Sequence, residues 1–207
     1  MKRETIQVGG FEVNCTILSA SGKAWIVDPG QEADRLVTHL ETARLFPAGV
    51  LLTHAHFDHI GALPMLSARY ANLPIYLHRK DHPVASHPAN QLPPEYPPVG
   101  KLLGLRDADF LAEETGLAVQ TIATPGHTPG GVCYYFPEEN DGKGLLLSGD
   151  TLFAGSIGRT DLPGGDMATL MASIETLKNL PDDTLVIPGH GPFTTIGAEK
   201  RGNPFLN

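Results

Sequence analysis

Residues 53–62 read THAHFDHIGA, and between positions 54 and 59 the chain sets His54, His56, Asp58 and His59. Each of the four can ligate a metal ion, and each is costly to bury without a partner. The run ahead of them, GVLLT at 49–53, has the length and apolar character of a buried strand. His54 and His56 are two apart, so at an extended strand end their imidazoles project to the same side. Asp58 and His59 are adjacent and diverge on a regular helix. A chain passing here from strand into helix can wrap one ion or two; a helix start capped in solvent is the plain alternative.

Working outward, 23 glycines and 18 prolines punctuate the chain, with short apolar runs between them. Besides 49–53, the runs at 15–20, 24–28, 73–78, 117–122, 131–136, 144–148 and 184–188 read as strands. Helical spacing follows in 31–46, in 58–71 with Pro64 near its start or as a kink, and in 165–180, where Leu170, Ile174 and Leu177 share a stripe. Strands and helices so intermixed define an α/β chain. Residues 83–100 carry six prolines and read as an irregular surface loop. The length suits one domain, taken as 1–207.

Three later places repeat the opening arrangement in looser form: Pro125-Gly126-His127, Ser148-Gly149-Asp150 and Pro188-Gly189-His190. In each an apolar run meets a glycine that permits a tight turn, and one ligand-type residue follows. Ligand sites in α/β folds lie beyond strand ends, so these loops can converge. The candidate ligands are then His54, His56, Asp58, His59, His127, Asp150 and His190. Seven exceed the usual four of one zinc ion, whereas two ions sharing a carboxylate and a hydroxide use them all. His39, His78, His82 and His87 lack the strand–glycine context and read as surface or satisfied histidines.

The net charge is −8 with histidines neutral, and the 15 Lys and Arg are scattered. No basic patch marks a nucleic-acid partner. No apolar run reaches the roughly 20 residues of a membrane span, and no apolar segment follows Lys2-Arg3 to make a signal peptide. Two isolated cysteines, Cys15 and Cys133, form no disulfide framework, which suits a cytoplasmic location. A monomer or small homo-oligomer is expected.

The motifs THAHFDHIGA, TPGHTPGG, SGDTLF and IPGHGP resemble, in order and spacing, those of the metallo-β-lactamase superfamily, and within it the glyoxalase II-like hydrolases of a short bacterial type. The resemblance implies a four-layer αββα sandwich. It also implies that His54, His56 and His127 hold a first ion, that Asp58, His59 and His190 hold a second, and that Asp150 bridges them. Zinc is the expected metal, with iron or manganese as alternatives. Asp28, in Asp-Pro-Gly, matches a buried acid near such sites, and reads equally as a turn or helix-capping residue.

A hydroxide between two such ions can attack a carbonyl carbon, and a thiolate leaves without a strong acid, so a small-molecule thioester is the expected substrate. The resemblance supplies S-lactoylglutathione, cleaved to lactate and glutathione. Two features depart from glutathione-binding members. The loop after Asp150 reads GSIGRTDLPGG where those members carry a Lys and a Tyr, leaving Arg159 as the candidate substrate anchor. The chain also ends two residues after Asn203-Pro204-Phe205, with Lys200 and Arg201 as further basic groups. Persulfide dioxygenases share the GRTD sequence; in that reading one iron(II) is held by His54, His127 and Asp150.

Overall fold

The apolar runs between glycines and prolines become strands of two main sheets in the computed structural model, which describes residues 1–100, 102 and 104–207. The chain divides into two compact units, Met1–Ala108 and Asp109–Asn207, each built on one of the sheets.

In the first unit the strands β1 (Lys2–Val8), β2 (Val13–Ala20), β3 (Lys23–Val27), β4 (Phe46–Leu51), β5 (Ile75–Tyr76) and β6 (Leu105–Arg106) lie side by side in chain order. The pairs β1–β2 and β2–β3 are antiparallel hairpin neighbours. From β3 onward the pairing is parallel, because the connections carry helices: α1 (Ala33–Thr42) between β3 and β4, α2 (Phe57–Ile60) and α3 (Leu63–Arg69) between β4 and β5, and α4 (His82–Ala85) before β6. Helix α1 buries Ala33, Leu36 and Leu40, a stripe at helical spacing. These side chains join Ile17, Ile26, Val50, Leu63 and Leu66 in one core. The parallel register pairs Val27 with Leu51. The residues that follow β3 and β4 therefore emerge at the same end of the sheet, which sets Asp28 beside Thr53.

The second unit opens with α5 (Leu111–Thr115), and its sheet runs β13-β12-β9-β8-β7, from β7 (Gln120–Ala123), β8 (Val132–Phe136), β9 (Leu145–Gly149), β12 (Leu185–Pro188) and β13 (Thr194–Thr195). A separate two-stranded hairpin pairs β10 (Leu152–Phe153) with β11 (Ser156–Ile157). Only β9 and β12 pair in parallel, and α6 (Met167–Leu177) lies in the connection between them. Asp166 caps α6 by accepting from the Thr169 N–H at 2.7 Å. Leu170, Ile174 and Leu177 pack with Cys133, Leu146 and Val186. Helix α7 (Ile196–Gly202) closes the chain.

Three details differ from the sequence expectation. Strand β1 was not foreseen, since KRETIQV is a half-exposed edge strand with no apolar run. The segment 58–71 is two helices, not one. Its break falls where the Ala62 N–H donates to the Pro29 carbonyl at 3.0 Å, and where a Cβ on Gly61 would stand 2.3 Å from the Gly30 oxygen. Within 83–100 the start is helical, as part of α4, and a single bridge pairs Leu92 with Tyr96. Among the described residues no helix is long and apolar enough to cross a membrane.

The Asp28-Pro29-Gly30 turn and α2 thus meet backbone to backbone. A Cβ on Gly30 would lie 1.8 Å from the Asp58 carbonyl oxygen, so no side chain fits without displacing α2. The variant Gly30→Ala should lose about 1–3 kcal/mol of stability by urea unfolding; an unchanged midpoint would contradict the close approach.

Candidate metal centre

In the first unit the site grows from the ends of β3 and β4. Asp28 takes a left-handed conformation, φ +48°, one step past β3. Its carboxylate accepts three hydrogen bonds: from the Thr53 N–H at 2.8 Å, from the Thr53 hydroxyl at 2.7 Å and from His59 Nδ1 at 3.1 Å. The Thr53 proton is committed to Asp28, so the contact of 3.1 Å between Thr53 Oγ1 and His54 Nδ1 has the imidazole as donor. One buried carboxylate therefore sets the ring orientation of His59 directly and of His54 through Thr53. The His54 ring stands perpendicular to that of His56 with centroids 4.8 Å apart, and 4.1 Å from that of His59. Asp58 Oδ2 lies 3.9 Å from His59 Nε2. His54, His56 and His59 are all buried.

Two residues outside the motif hold its backbone. Asp81, fully buried, accepts from the Ala55 N–H at 3.1 Å. Asn90 donates to the Ala55 carbonyl at 2.8 Å and accepts from the Phe57 N–H at 2.9 Å. Neither carries a sequence signal, because each acts on main-chain atoms from 26 and 35 residues away.

The second unit repeats the logic at its parallel pair. β9 runs into Asp150 and β12 into His190, and the Gly189 N–H donates to the Gly149 carbonyl at 2.8 Å, tying the two turns together. Asp150 Oδ2 lies 3.5 Å from His190 Nε2 and 3.6 Å from His127 Nε2. These separations exceed a hydrogen bond and approach the roughly 3.3 Å between two ligands each about 2.0–2.1 Å from one tetrahedral ion. His127 Nδ1 donates to the Arg159 carbonyl at 2.7 Å. That carbonyl reaches the ring because Gly158 permits it: a Cβ there would stand 1.9 Å from the main-chain carbonyl oxygen of Asp150.

The guanidinium of Arg159 points elsewhere. It forms a two-pronged pair with Asp161, 2.6 and 2.7 Å, on the exposed surface. The Arg159 hydrogen bond draws the Asp161 carboxyl down to about 2 and raises the guanidinium in turn. Lys200 is engaged with Asp182 at 2.6 Å. Of the histidines set aside, His39 pairs with Glu4 at 2.9 Å, His78 accepts from the Lys80 N–H, His82 Nε2 meets the Leu77 carbonyl and His87 accepts from the Ala89 N–H.

The donor set suits divalent cations. His54, His59 and His127 each donate through Nδ1, to a hydroxyl, a carboxylate and a carbonyl. In the neutral ring this leaves Nε2 with the lone pair that a metal needs, and the Nε2 atoms of His59 and His127 are those nearest Asp58 and Asp150.

A fold of this kind with two such His/Asp clusters defines a metal-dependent hydrolase. The signature of the metallo-beta-lactamase superfamily matches residues 8–190, a span that takes in all seven candidate ligands. The chain belongs to this superfamily, and its fold is the superfamily's αββα class. Hydroxyacylglutathione hydrolase GloC of Haemophilus influenzae is 38% identical over 221 residues, covering 100% of this chain and 99% of that protein. Among solved structures, the BLEG-1 B3 metallo-beta-lactamase is 40% identical with a TM-score of 0.83 over 99% of both chains. The di-iron-bound form of TTHA1623 is 39% identical with a TM-score of 0.85, over 98% of this chain and 100% of that one.

Replacing the shared carboxylate tests the orientation network. Asp28→Asn presents an amide N–H where Thr53 and His59 need an acceptor, and should weaken metal retention about 10- to 100-fold in chelator competition. Affinity equal to that of the unaltered protein would show that Asp28 does not orient the histidines toward metal.

Proposed function

We propose that the chain is a binuclear metallohydrolase of thioesters, with S-lactoylglutathione, cleaved to lactate and glutathione, as its working substrate. His54, His56 and His127 serve one ion, Asp58, His59 and His190 the other, and Asp150 both. The observation that carries this reading is the Asp28 carboxylate, which orients His59 by the same kind of bond through which Thr53 orients His54. A single iron held by His54, His127 and Asp150 gives His59 no ligand role, whereas a second ion uses its Nε2, the ring nitrogen opposite the bond to Asp28. The placement of one Asp150 oxygen between two imidazoles also suits a shared carboxylate.

When bound, two divalent ions lower the pKa of water and polarise the carbonyl under attack. The chain's residues do the rest by position. Fixed Nδ1 bonds hold the imidazoles of His54, His59 and His127 so that these three need not reorganise during turnover. Hydrolysis adds water across the acyl C–S bond and releases a carboxylic acid and a thiol. A thiol with a pKa of about 8.5 leaves as thiolate without a strong acid, so Asp58 and Asp150 serve as ionised ligands. The kinship with GloC supports a glutathione thioester. The di-iron-bound neighbour supports iron as an occupant of the site beside the zinc expected from the motifs.

For the substrate anchor we infer an exchange. A carboxylate of the thiol carrier takes the place of Asp161 on the Arg159 fork, a planar bidentate partner for either. Asp161 is ionised above its ordinary value of 3.8 and loses its charge only as pH falls through about 2, so the exchange is independent of pH between 5 and 9.

The test is thiol release from S-D-lactoylglutathione by metal-loaded protein, with a β-lactam and glutathione persulfide plus oxygen monitoring run beside it. Thiol release without oxygen uptake is expected. Oxygen uptake with the persulfide, or turnover of the β-lactam alone, would overturn the thioester reading. In the same assay Arg159→Ala should raise KM and Asp161→Asn should lower it, both at constant kcat; unchanged KM in both would remove Arg159 from substrate binding.

A further inference from the structure

Among the described residues no strand pairs with the stretch from His54 to His56. β4 ends at Leu51, and residues 54–56 belong to neither strand nor helix. Two imidazoles two positions apart can face one ion only while the intervening backbone stays extended. His56 holds that conformation, φ −66° and ψ 149°, immediately before α2. The peptide groups here still need partners, because main-chain donors and acceptors left unmade in a buried site are costly.

Side chains supply them. The Ala55 carbonyl and the Phe57 N–H, two residues apart, are the acceptor and donor that one residue of a neighbouring parallel strand would engage through its own N–H and C=O. The Asn90 amide engages both, at 2.8 and 2.9 Å, so it acts as a one-residue strand edge. Asp81 takes the remaining Ala55 N–H with a buried carboxylate, a charge-assisted bond. The segment that bears Asn90 has its own anchor further on, where Gln31 Nε2 donates to the Glu95 carbonyl at 2.5 Å. Gln31 directly follows the Asp28-Pro29-Gly30 turn, so the proline-rich segment is fastened at two points, one on the ligand-bearing stretch and one beside the turn whose Asp28 orients His59.

We propose that Asp81 and Asn90 are positioning residues for metal binding: a side-chain clamp that replaces a missing strand and keeps His54-Ala55-His56 extended, so that both imidazoles serve one ion. The inference rests on the metal-site reading above and adds to it two residues that touch neither ion nor substrate. It also gives the proline-rich segment a task, delivery of Asn90.

Chelator competition with Zn2+, on protein first stripped of metal, tests the clamp without reference to any substrate. Asn90→Ala removes both bonds and should weaken Zn2+ binding about 10- to 100-fold. The metal-free protein should unfold at nearly the same temperature, since the segment keeps its other anchor. Asn90→Asp retains the acceptor for Phe57 and loses the donor to Ala55, and should fall between the two; it is also the informative variant if Asn90→Ala does not fold. In steady state with metal in excess, kcat should drop while KM stays level. A folded Asn90→Ala or Asn90→Asp protein with undiminished Zn2+ affinity would overturn the clamp, as would a fall in unfolding temperature with affinity intact. Failure of the unaltered protein to bind Zn2+ would instead overturn the metal-site reading itself.

Discussion

The Asp28 carboxylate, buried at the end of β3, is the group on which the first unit's site depends. It sits beside Thr53 because β3 and β4 are parallel and in register, which brings the residues after both strands to one edge. A buried carboxylate is tolerated only when its lone pairs are filled, and here two donors from Thr53 and one from His59 fill them. Satisfying Asp28 and aiming two imidazoles are thus one arrangement. Burial, with the Asp28 charge added to it, pushes the Cys15 thiol far above its usual range. Gly30 and Gly61 belong to this arrangement too, because only bare backbone lets the Asp28-Pro29-Gly30 turn lie against α2.

The second unit reaches a similar end with different parts. Its parallel pair, β9 and β12, delivers Asp150 and His190 from turns tied by the bond between Gly189 and Gly149. His127 is oriented by a main-chain carbonyl, that of Arg159, and the tight passage at Gly158 makes this possible. Arg159 therefore has two separable parts. Its backbone holds a candidate ligand, and its side chain, paired with Asp161 in solvent, is the part proposed above to exchange that partner for a substrate carboxylate. A substitution at 159 that leaves the backbone undisturbed separates them.

Much of this was legible in the residues. Apolar runs bounded by glycine and proline became β2, β3, β4, β8, β9 and β12, and the Leu170-Ile174-Leu177 stripe became the buried face of α6. The candidate ligands stood out because strand, glycine and ligand-type residue recur together. What stayed hidden works through main-chain atoms or through contacts distant in sequence. KRETIQV has no apolar run because an edge strand buries little, so β1 went unread. One helix was expected over 58–71, and the carbonyl groups of the Asp28-Pro29-Gly30 turn split it. Asp81 and Asn90 bond to peptide groups, which any sequence presents alike, so no motif announces them. Asp28 could be read as a cap or as a supporting acid. Glu32 occupies the capping position of α1, and the Asp28 carboxylate goes to Thr53 and His59 instead.

The number of ions is the claim on which the functional reading turns. Anomalous diffraction at the absorption edge of the bound metal, from crystals of metal-loaded protein, counts and locates them directly. Two peaks about 3.5–4 Å apart, flanking Asp150 and within bonding distance of His59 and His190 on one side, are the expected result. A single peak ligated by His54, His127 and Asp150, with His59 and His190 turned away from it, would contradict the two-ion site and with it the hydrolysis proposed here.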